Sequence, residues 1–334
     1  MVKDAWTELH AQLHRTLRSR QLLPKNSPIL VAVSGGQDSL CSLKLLLDLQ
    51  PKWGWELAIA HCDHRWRADS QANAQHVEKL AQTWGLPYYQ QTATEALNSE
   101  AAARQWRYQA LSAIATKYGQ EYIVTGHTAS DRAETLLYNL IRGSGADGLQ
   151  ALTWKRPLEA GIMLVRPLLE ITRSQTGAFC QQFHLSIWED STNQDLKYAR
   201  NRIRLDIIPY LQQYVNPKAE ENLAKTAELL QGEVEYLKET ATQIRDRAQH
   251  PSQPGLNRRI LGAVPLALQR RVLRQFLTMA LSGSPSFDQI EKVRSLISAP
   301  NRSNTDPFPG GAIALVEDPW IWLTSGQNPN SGGD

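Results

Sequence analysis

A glycine-rich segment with two serines and an aspartate is the first place in this chain where residue types and spacing could do chemistry. The segment, SGGQDS, follows a short apolar run and precedes a leucine-spaced stretch that begins near Asp38. Glycine lets the backbone approach a ligand closely, and a helix start offers free N–H groups and the positive end of a dipole. The pattern predicts an anion site formed by Ser34, Gly35, Gly36, Gln37, Asp38 and Ser39.

Asp38 narrows the choice of anion. Its carboxylate would repel a bare phosphate unless a cation stood between them, so a nucleotide with Mg²⁺ is the natural ligand. The alternative is that the glycines only make a turn while the serines and Asp38 cap the helix. The chain contains no GxxxxGK[ST], which excludes an ordinary Walker-type loop. A GxGxxG at 143–148 follows a predicted helix instead of a strand, so we expect a flexible loop there and no dinucleotide site.

A second cluster, GHTASDRAET, orders an imidazole and two carboxylates. His127 ends a predicted strand, and Asp131 and Glu134 then fall on one face of the following helix. Together they could bind an ammonium group. The alternative is local: Thr128 could cap the helix with Asp131, and Glu134 could answer the helix dipole or pair with a basic residue.

Other polar segments are less specific when read alone. In HCDHRWR, His61, Asp63, His64 and Arg67 include metal-ligand types, although such residues at a strand end are as often hydrogen-bonded turn residues. Arginine suits phosphate, and an adjacent tyrosine could stack on a base. Basic residues that could contact RNA, or could simply lie on solvated helix faces, are Arg104, Arg107, Lys197, Arg200, Arg202 and Arg204.

The elements that must position these residues alternate between strand and helix. Apolar, β-branched runs bounded by turn residues predict strands, and leucine or alanine spacing predicts helices between them. The predicted strands are PILVAVS, ELAIAHCDH, LPYYQQ and EYIVTGH, and the predicted helices begin at about Asp38 and cover 70–84, 100–118 and 130–142. Strands joined by such helices pair in parallel and bind ligands beyond their carboxyl ends. The polar clusters should therefore meet at one edge of a sheet.

Composition sets the outer bounds. The chain has 334 residues, 42% hydrophobic and 21% charged, with a formal charge of +3, which excludes a disordered chain and does not prove a polyanionic partner. Its three cysteines form no CxxC, so neither a disulfide framework nor a zinc site is indicated, and a reduced, cytoplasmic protein is expected. No apolar run has the length of a membrane span. After about residue 214 the texture becomes helical, with two short strands expected in GGAIALVEDPWIWLTS.

Several motifs together resemble one family. SGGQDS after a strand is similar to the pyrophosphate-binding loop of the N-type ATP pyrophosphatases, and HCDHRWR, EAAARQWRYQAL, GHTASDRAET, VRPLLEITR and WEDSTNQDLKYARNRIRLDIIPYL resemble tRNA(Ile)-lysidine synthetases in order and spacing. The resemblance spans about residues 29–215 and implies a parallel-sheet, Rossmann-like α/β domain of the adenine nucleotide alpha hydrolase type. It implies a catalytic domain at 1–215, a smaller, mainly helical tRNA-binding domain at 216–326 and a flexible tail at 327–334.

The resemblance also implies a reaction and its participants. ATP would adenylate the wobble cytidine of the CAU anticodon of an isoleucine tRNA, and free L-lysine would then displace AMP. The sites that it implies are ATP contacts at 34–39, His61 and Asp63; Mg²⁺ on Asp38 and Asp131; catalytic roles for Asp38, Arg104, His127, Asp131 and Glu134; and tRNA contacts at Arg107, Arg200, Asn201, Arg202 and Arg204. Which of Arg104 and Arg107 meets the adenylated intermediate stays open, and a homodimer is one candidate assembly.

Two alternatives and one departure accompany this hypothesis. A related tRNA-thiolating or amide-forming adenylating enzyme would share the glycine loop, but thiolation usually needs a catalytic or paired cysteine. A nucleotide-dependent RNA-binding module would share the loop and the basic segments but would have no use for His127, Asp131 and Glu134. The family often has two adjacent aspartates where this chain has Ser130 and Asp131, which puts only a secondary role in doubt.

Overall fold

The computed structural model describes residues 6–65, 69–95, 99–159, 161–189, 195–281 and 283–324. Arg67 and the tail expected at 327–334 lie outside these ranges. The chain divides into two compact units, 1–231 and 232–334. Helix α10, Ala219–Ala248, continues across this division. The functional boundary near residue 215 stays a prediction.

The first unit alternates strands and helices as the sequence predicts. Its strands are β1 Pro28–Ala32, β2 Glu56–Asp63, β3 Tyr88–Thr92, β4 Tyr122–Thr125, β5 Lys155–Glu159 and β6 Ile162–Val165. Its helices are α1 Glu8–Ser19, α2 Gln37–Trp53, α3 Ser70–Trp84, α4 Glu100–Lys117, α5 Ala129–Ile141, α6 Ala146–Leu149, α7 Arg173–Gln182, α8 Ala199–Arg202 and α9 Ile208–Tyr214, with a π-helical segment, Ile203–Ile207, between the last two. The predicted helix boundaries agree to within one residue for α3, α4 and α5.

The sheet of this unit has the strand order β3-β2-β1-β4-β6-β5. All neighbouring strands pair in parallel except β5, which is antiparallel to β6. The order reverses between β1 and β4, and such a switch point opens a crevice beyond the carboxyl ends of the strands. The polar segments that follow β1 and β4 therefore begin side by side.

Two features of this unit differ from the sequence expectations. Strands β5 and β6 were not predicted: β5 alternates exposed with half-buried residues and contains Pro157, a pattern tolerated at a sheet edge, and β6 has only four residues. The segment 143–148 was expected to be a flexible loop, but Ala146–Leu149 forms a short helix that follows α5. The segment follows a helix, α5, and a dinucleotide-binding GxGxxG must follow a strand, so no dinucleotide site is expected there.

The central strands are buried because helices cover both faces of the sheet. One apolar cluster joins α1, α2 and α7 to β1 and includes Leu13, Leu43 and Phe179. A second cluster packs α4 on the other face, through Leu111 and Ile114. Parallel strands covered on both sides read as continuous apolar runs, which is why β1 and β2 were readily predicted.

The second unit is helical with a small antiparallel sheet. Besides the end of α10 it contains α11 Arg258–Gly262, α12 Leu266–Ala280, α13 Phe287–Ser295, β7 Gly255–Asn257, β8 Ile313–Glu317 and β9 Trp320–Thr324, and the sheet order is β7-β9-β8. The two expected strands are present, and β7 was not predicted. No helix within the described ranges has both the length and the apolar character that crossing a membrane requires.

Candidate active site

A cavity of about 400 Å³ opens at the carboxyl edge of β1, β2 and β4. Most of the sequence-predicted site residues line it. They are Ser34, Gly36, Gln37, Asp38, Ser39, His61, Asp63, Arg107, His127, Asp131 and Arg204. The three polar clusters thus meet at one edge of the sheet, as the alternating pattern predicts.

The glycine loop connects β1 to α2 with its N–H groups available. Gly36 caps α2 without a side-chain hydrogen bond, and the N–H groups of Gln37, Asp38 and Ser39 have no acceptor within the described chain. The Ser39 hydroxyl donates to the Gly36 carbonyl at 2.8 Å and holds the turn. Free N–H groups at the start of a 17-residue helix form a ready anion site.

Gly126 lets β4 approach the first turn of α2. A Cβ built on Gly126 would lie 2.7 Å from the Asp38 carbonyl oxygen and 2.9 Å from the Ser39 nitrogen. Both neighbours are backbone atoms, which cannot move aside as a flexible side chain can. A glycine at this position is therefore needed to bring the loop after β4 against the phosphate-binding turn.

The Asp38 carboxylate is held by α7. Arg173 Nη1 donates to Oδ2 at 3.0 Å, and the Thr176 hydroxyl donates to Oδ1 at 2.5 Å. Burial raises the pKa of Asp38, although Arg173 and Thr176 oppose the shift. An added cation at the cavity would favour the ionised form, so the surroundings of Asp38 suit a site where charge arrives with the ligand.

His127 and Asp131 occupy the start of α5. Thr128 caps the helix, with its N–H donating to Asp131 Oδ2 at 2.9 Å. The capping alternative is therefore real for Asp131, yet Asp131 also lines the cavity. Burial lowers the pKa of His127, so the imidazole is neutral at pH 7. Burial alone would raise the pKa of Asp131, but the Thr128 N–H and the guanidinium groups of Arg200 and Arg204 lower it and keep the carboxylate ionised.

Glu134 lies one turn further along α5 and is buried, with 1% of its surface exposed. Arg204 donates to it through Nε at 2.6 Å and Nη2 at 3.0 Å, and Arg200 Nε lies 3.4 Å away. Arg204 Nη2 is also 3.4 Å from Asp131 Oδ1. Burial raises the pKa of Glu134, against the opposing effect of Arg204. The Glu134 carboxylate is thus engaged by arginines behind the cavity and does not line it.

Arg104 and Arg107 have different surroundings in the structure. Arg107 lines the cavity, while the Arg104 guanidinium lies over the Tyr108 ring at 5.2 Å. Arg156 also lies over this ring, at 5.1 Å. Burial alone would raise the pKa of Tyr108, but nearby guanidinium groups of Arg104 and Arg166 outweigh it and lower the pKa. Tyr108 itself lines the cavity, so this wall is both aromatic and electropositive.

The basic segment after residue 195 is partly used for local structure. Asn201 donates to the Asp195 carbonyl at 2.8 Å, and Arg202 Nε donates to the Leu196 carbonyl at 2.7 Å. Arg200 Nη2 donates to Thr135 at 2.7 Å. Arg200 thus ties the segment to α5, while Asn201 and Arg202 hold its own backbone. Of this group Arg204 lines the cavity.

The strand-end cluster after β2 is built as a polar wall. His61 is buried with Nδ1 2.8 Å from the Val33 carbonyl, and Asp63 Oδ1 accepts from the Arg65 N–H at 2.8 Å. Burial, reinforced by Arg107, lowers the pKa of His64 to about 4. Among the described residues no group of three or more His, Cys, Asp and Glu side chains could hold a metal ion. Metal binding by the His61, Asp63, His64 set is not supported.

Sequence reasoning missed several residues that complete the cavity. Arg173 stood inside the quoted VRPLLEITR motif without a role, and Ser130, noted as a departure, accepts the Arg173 N–H at 2.9 Å. The further missed cavity residues are Ser70, Asn73, Tyr108 and Trp188. Trp188 opens the quoted WEDSTNQDLKYARNRIRLDIIPYL motif without a role, whereas Asn73 lies in no motif, because only tertiary packing brings it to the loop.

Two family profiles and several known proteins match this chain. The PP-loop domain profile matches residues 7–211, and the TilS substrate binding domain profile matches residues 256–316. A tRNA(Ile)-lysidine synthase of Nostoc sp. is 66% identical over 96% of this chain and 98% of its own length, and one of Synechocystis sp. is 53% identical over 95% and 98%. The U34-tRNA thiolase NcsA from Methanococcus maripaludis has a similar fold, with a TM-score of 0.58 at 18% identity, covering 67% of this chain and 78% of that one.

The glycine turn at the switch point of a parallel sheet, together with the matched profile, defines a PP-loop protein that uses ATP. This confirms the predicted α/β fold class. The matches extend beyond the catalytic unit and cover nearly the whole chain. The chain belongs to the tRNA(Ile)-lysidine synthase family.

Proposed function

We propose that this chain joins free L-lysine to the wobble cytidine of the CAU anticodon of an isoleucine tRNA, at the expense of ATP, and so converts AUG decoding to AUA decoding. The observation that carries the proposal is the convergence of the glycine loop, Asp38, His127 and Asp131 on one cavity in a chain that belongs to this family. The cavity places an anion site beside groups that suit a cationic amine.

ATP binding is assigned to the loop between β1 and α2. The N–H groups at the start of α2 would hold phosphate oxygens, with the Ser34 and Ser39 hydroxyls nearby. His61 and Asp63 line the neighbouring strand end, where the nucleoside would lie. In this arrangement the ring carbonyl of the cytidine attacks the α-phosphate, an adenylated cytidine forms and pyrophosphate leaves.

Mg²⁺ is assigned to Asp38 and Asp131. Both carboxylates line the cavity, and the charge of Asp131 adds to the effect of burial in raising the pKa of Asp38. Mg²⁺ in nucleotide enzymes is usually bound through one or two carboxylates, with water and phosphate oxygens completing its shell. The donor set therefore fits, and the ion would offset the charge that develops at the α-phosphate.

Asp131 and His127 are assigned to the lysine. The Asp131 carboxylate can hold the substrate ammonium, and neutral His127 can accept a hydrogen bond from the amine near the reacting carbon. We place Glu134 behind them, where it fixes Arg204. The side-chain amine then displaces AMP. Arg204 bridges Asp131 and Glu134, so lysine and Arg204 compete for the Asp131 oxygen.

The tRNA is assigned to the electropositive wall and the segment after it. Arg107 and Tyr108 face the cavity, where the base could stack on the ring and the guanidinium could meet a phosphate. Arg104 is assigned to orient Tyr108. The predicted tRNA contacts Arg200, Asn201 and Arg202 hold the segment that would present tRNA to the cavity, and Arg204 of the same segment lines the cavity. A homodimer and a cytoplasmic location stay predictions, which size-exclusion chromatography and fractionation would test.

Thiolation is the second candidate, favoured by the fold of the thiolase. Cys62 is the cysteine that lines the cavity, but burial raises the pKa of its thiol to about 12. A reactive thiol needs a lowered pKa. The surroundings of Cys62 therefore favour lysine transfer over sulfur transfer.

Pyrophosphate release separates these candidates. The full chain is incubated with ATP, Mg²⁺, an isoleucine tRNA with a CAU anticodon and one amino acid at a time. We expect release to need the tRNA, and AMP to appear with lysine and not with the other amino acids. Release that is independent of tRNA, or AMP formation driven by a sulfur donor, would overturn the proposal.

A further inference from the structure

Asn73 lies outside every motif of the sequence, yet its side chain contacts the phosphate-binding loop. It sits in the first turn of α3 and lines the cavity. Its Nδ2 donates to the Ser34 carbonyl oxygen at 2.9 Å. Its Oδ1 is buried and accepts no hydrogen bond within the described chain. A side chain from a separate helix thus holds the first peptide of the loop.

The loop carbonyls explain why this hydrogen bond matters. A loop that binds phosphate through N–H groups must turn its carbonyl oxygens away, because these oxygens repel an anion. The Gly35 carbonyl accepts the Trp188 N–H at 2.9 Å, and the Gly36 carbonyl accepts the Leu40 N–H at 3.1 Å. The Ser34 carbonyl, at the start of the loop, accepts its hydrogen bond from the side chain of Asn73 in α3.

The other end of the same amide packs on Gly35. Gly35 has a φ of +86°, and a Cβ at this position would collide with Asn73 Oδ1. The amide plane therefore lies against the Ser34 to Gly35 peptide, with its nitrogen on the carbonyl and its oxygen on the glycine. Both contacts require this loop conformation, which the amide fixes from the side of α3.

We propose that Asn73 is a positioning residue for ATP: its amide keeps the Ser34 carbonyl turned away from the phosphates and holds the loop in its anion-binding form. The inference rests on the proposed function only in taking ATP as the ligand. It gives a residue of α3 a direct role in holding the phosphate-binding loop. No covalent step is involved.

Asn26 provides a matched control at the opposite end of α2. Its Oδ1 packs in the same way on Gly54, which has a φ of +71°, and its N–H donates to the Trp53 carbonyl at 3.0 Å. The two asparagines thus support the two ends of one helix, and only Asn73 lies at the cavity. Substitution of Asn26 therefore measures how far the loss of such a side chain destabilises the chain without touching the cavity.

The test is equilibrium binding of a non-hydrolysable ATP analogue with Mg²⁺ to the full chain, without tRNA or lysine. We expect Asn73→Ala to weaken binding by about 3- to 10-fold, the range for one lost hydrogen bond. Asn73→Asp should weaken it further, because it loses the donor and adds a negative charge. Asn73→Gln, which keeps the amide, should recover part of the affinity, and Asn26→Ala should bind as the wild type does.

Binding by Asn73→Asp and Asn73→Ala within about twofold of the wild type, below the effect expected for a lost hydrogen bond, would overturn the inference. An equal loss in Asn26→Ala would overturn it too, because the effect would then be general destabilisation. If Asn73→Asp does not fold, Asn73→Ala and Asn73→Gln decide the matter. A wild-type chain that binds the analogue but transfers no lysine would contradict the proposed function and leave this inference standing.

Discussion

The sheet edge of the first unit and the core of the second unit are built on opposite principles. The edge gathers ionisable groups into a partly buried space, and burial shifts the pKa values of Asp38, His127 and Glu134 there. The second unit closes on an apolar cluster that includes Phe276 and Val293. The edge therefore gathers charge around a cavity, whereas the core of the second unit is apolar.

Arginines show the same contrast. At the edge, Arg204 and Arg173 hold carboxylates beside the cavity. In the second unit, Arg259 pairs with Asp318 at the surface, and the guanidinium of Arg270 is paired with Glu291. Exposed pairs contribute little to stability. Breaking one of these exposed pairs should therefore change the stability of the second unit little, whereas removing Arg204 or Arg173 should disturb the cavity.

The largest expected effect is the loss of adenylation in Asp38→Asn. The change removes one negative charge from the cavity while Thr176 can still donate to the amide oxygen. We expect kcat/KM to fall by about 100-fold or more, the scale for removing one electrostatic group at a reacting centre. Pyrophosphate release measures kcat/KM, and thermal unfolding measures the stability of the variant. Asp318→Asn in the second unit is the control and should be active; near-normal turnover of Asp38→Asn would remove this carboxylate from the metal.

Two glycine substitutions compare close packing at the sheet edge with open space on α10. Gly126→Ala places a methyl group against the backbone of α2 and should destabilise the chain by about 1 to 3 kcal/mol, as overpacking does. Gly232→Ala adds a methyl group to α10 where nothing lies within 4 Å and should stabilise it by about 0.5 to 1 kcal/mol. Chemical denaturation measures both. A neutral Gly126→Ala would mean that the strand end does not need this close approach.

Glu134→Gln should change the lysine step more than the adenylation step. The amide keeps the size of the side chain but cannot hold both arginines as the carboxylate does. We expect the KM for lysine to rise by about 10-fold as Arg204 shifts toward Asp131, equivalent to about 1.4 kcal/mol. Steady-state kinetics with varied lysine, and then varied ATP, separate the two steps. Equal changes in both KM values would contradict this role.

Acid should weaken the first unit through its buried histidines. The pKa of His64 is lowered to about 4 in the folded chain, so the folded form binds fewer protons than the unfolded form below about pH 6.5. Its contribution is complete above that pH and is lost as the pH falls toward 4, by on the order of 1 kcal/mol at pH 5. Calorimetry from pH 7 to 5 should show a smaller loss in His64→Phe. An equal loss of stability in the wild type and in His64→Phe would mean that groups other than His64 cause it.

Much of the edge could be predicted from the sequence because local patterns fix it. The apolar runs of β1 and β2, the glycines after β1 and the capped start of α5 are each local, and parallel pairing brings their ends together. The engagement of Glu134 by Arg204 could not be predicted, because the two residues are 70 positions apart and only packing of the π-helical segment on α5 joins them. The roles of Arg173 and Asn73 depend in the same way on α7 and α3 meeting one loop.

The strands of the second unit show which strands can be predicted from sequence and which cannot. Strands β8 and β9 were predicted because alternating residues flank Asp318 and Pro319. Strand β7 has three residues and follows a proline-rich break, so no period can be read from it. Its pairing with β9 depends on the tertiary structure.

The most direct test of the account is nucleoside analysis of an isoleucine tRNA with a CAU anticodon after reaction with the full chain, ATP, Mg²⁺ and isotope-labelled lysine. We expect the wobble cytidine to be replaced by a heavier nucleoside carrying the label, with one AMP and one pyrophosphate released for each, and we expect Asp38→Asn to slow its formation by about 100-fold or more. A wobble cytidine that stays unchanged while ATP is cleaved, or one that carries sulfur instead of lysine, would contradict the account.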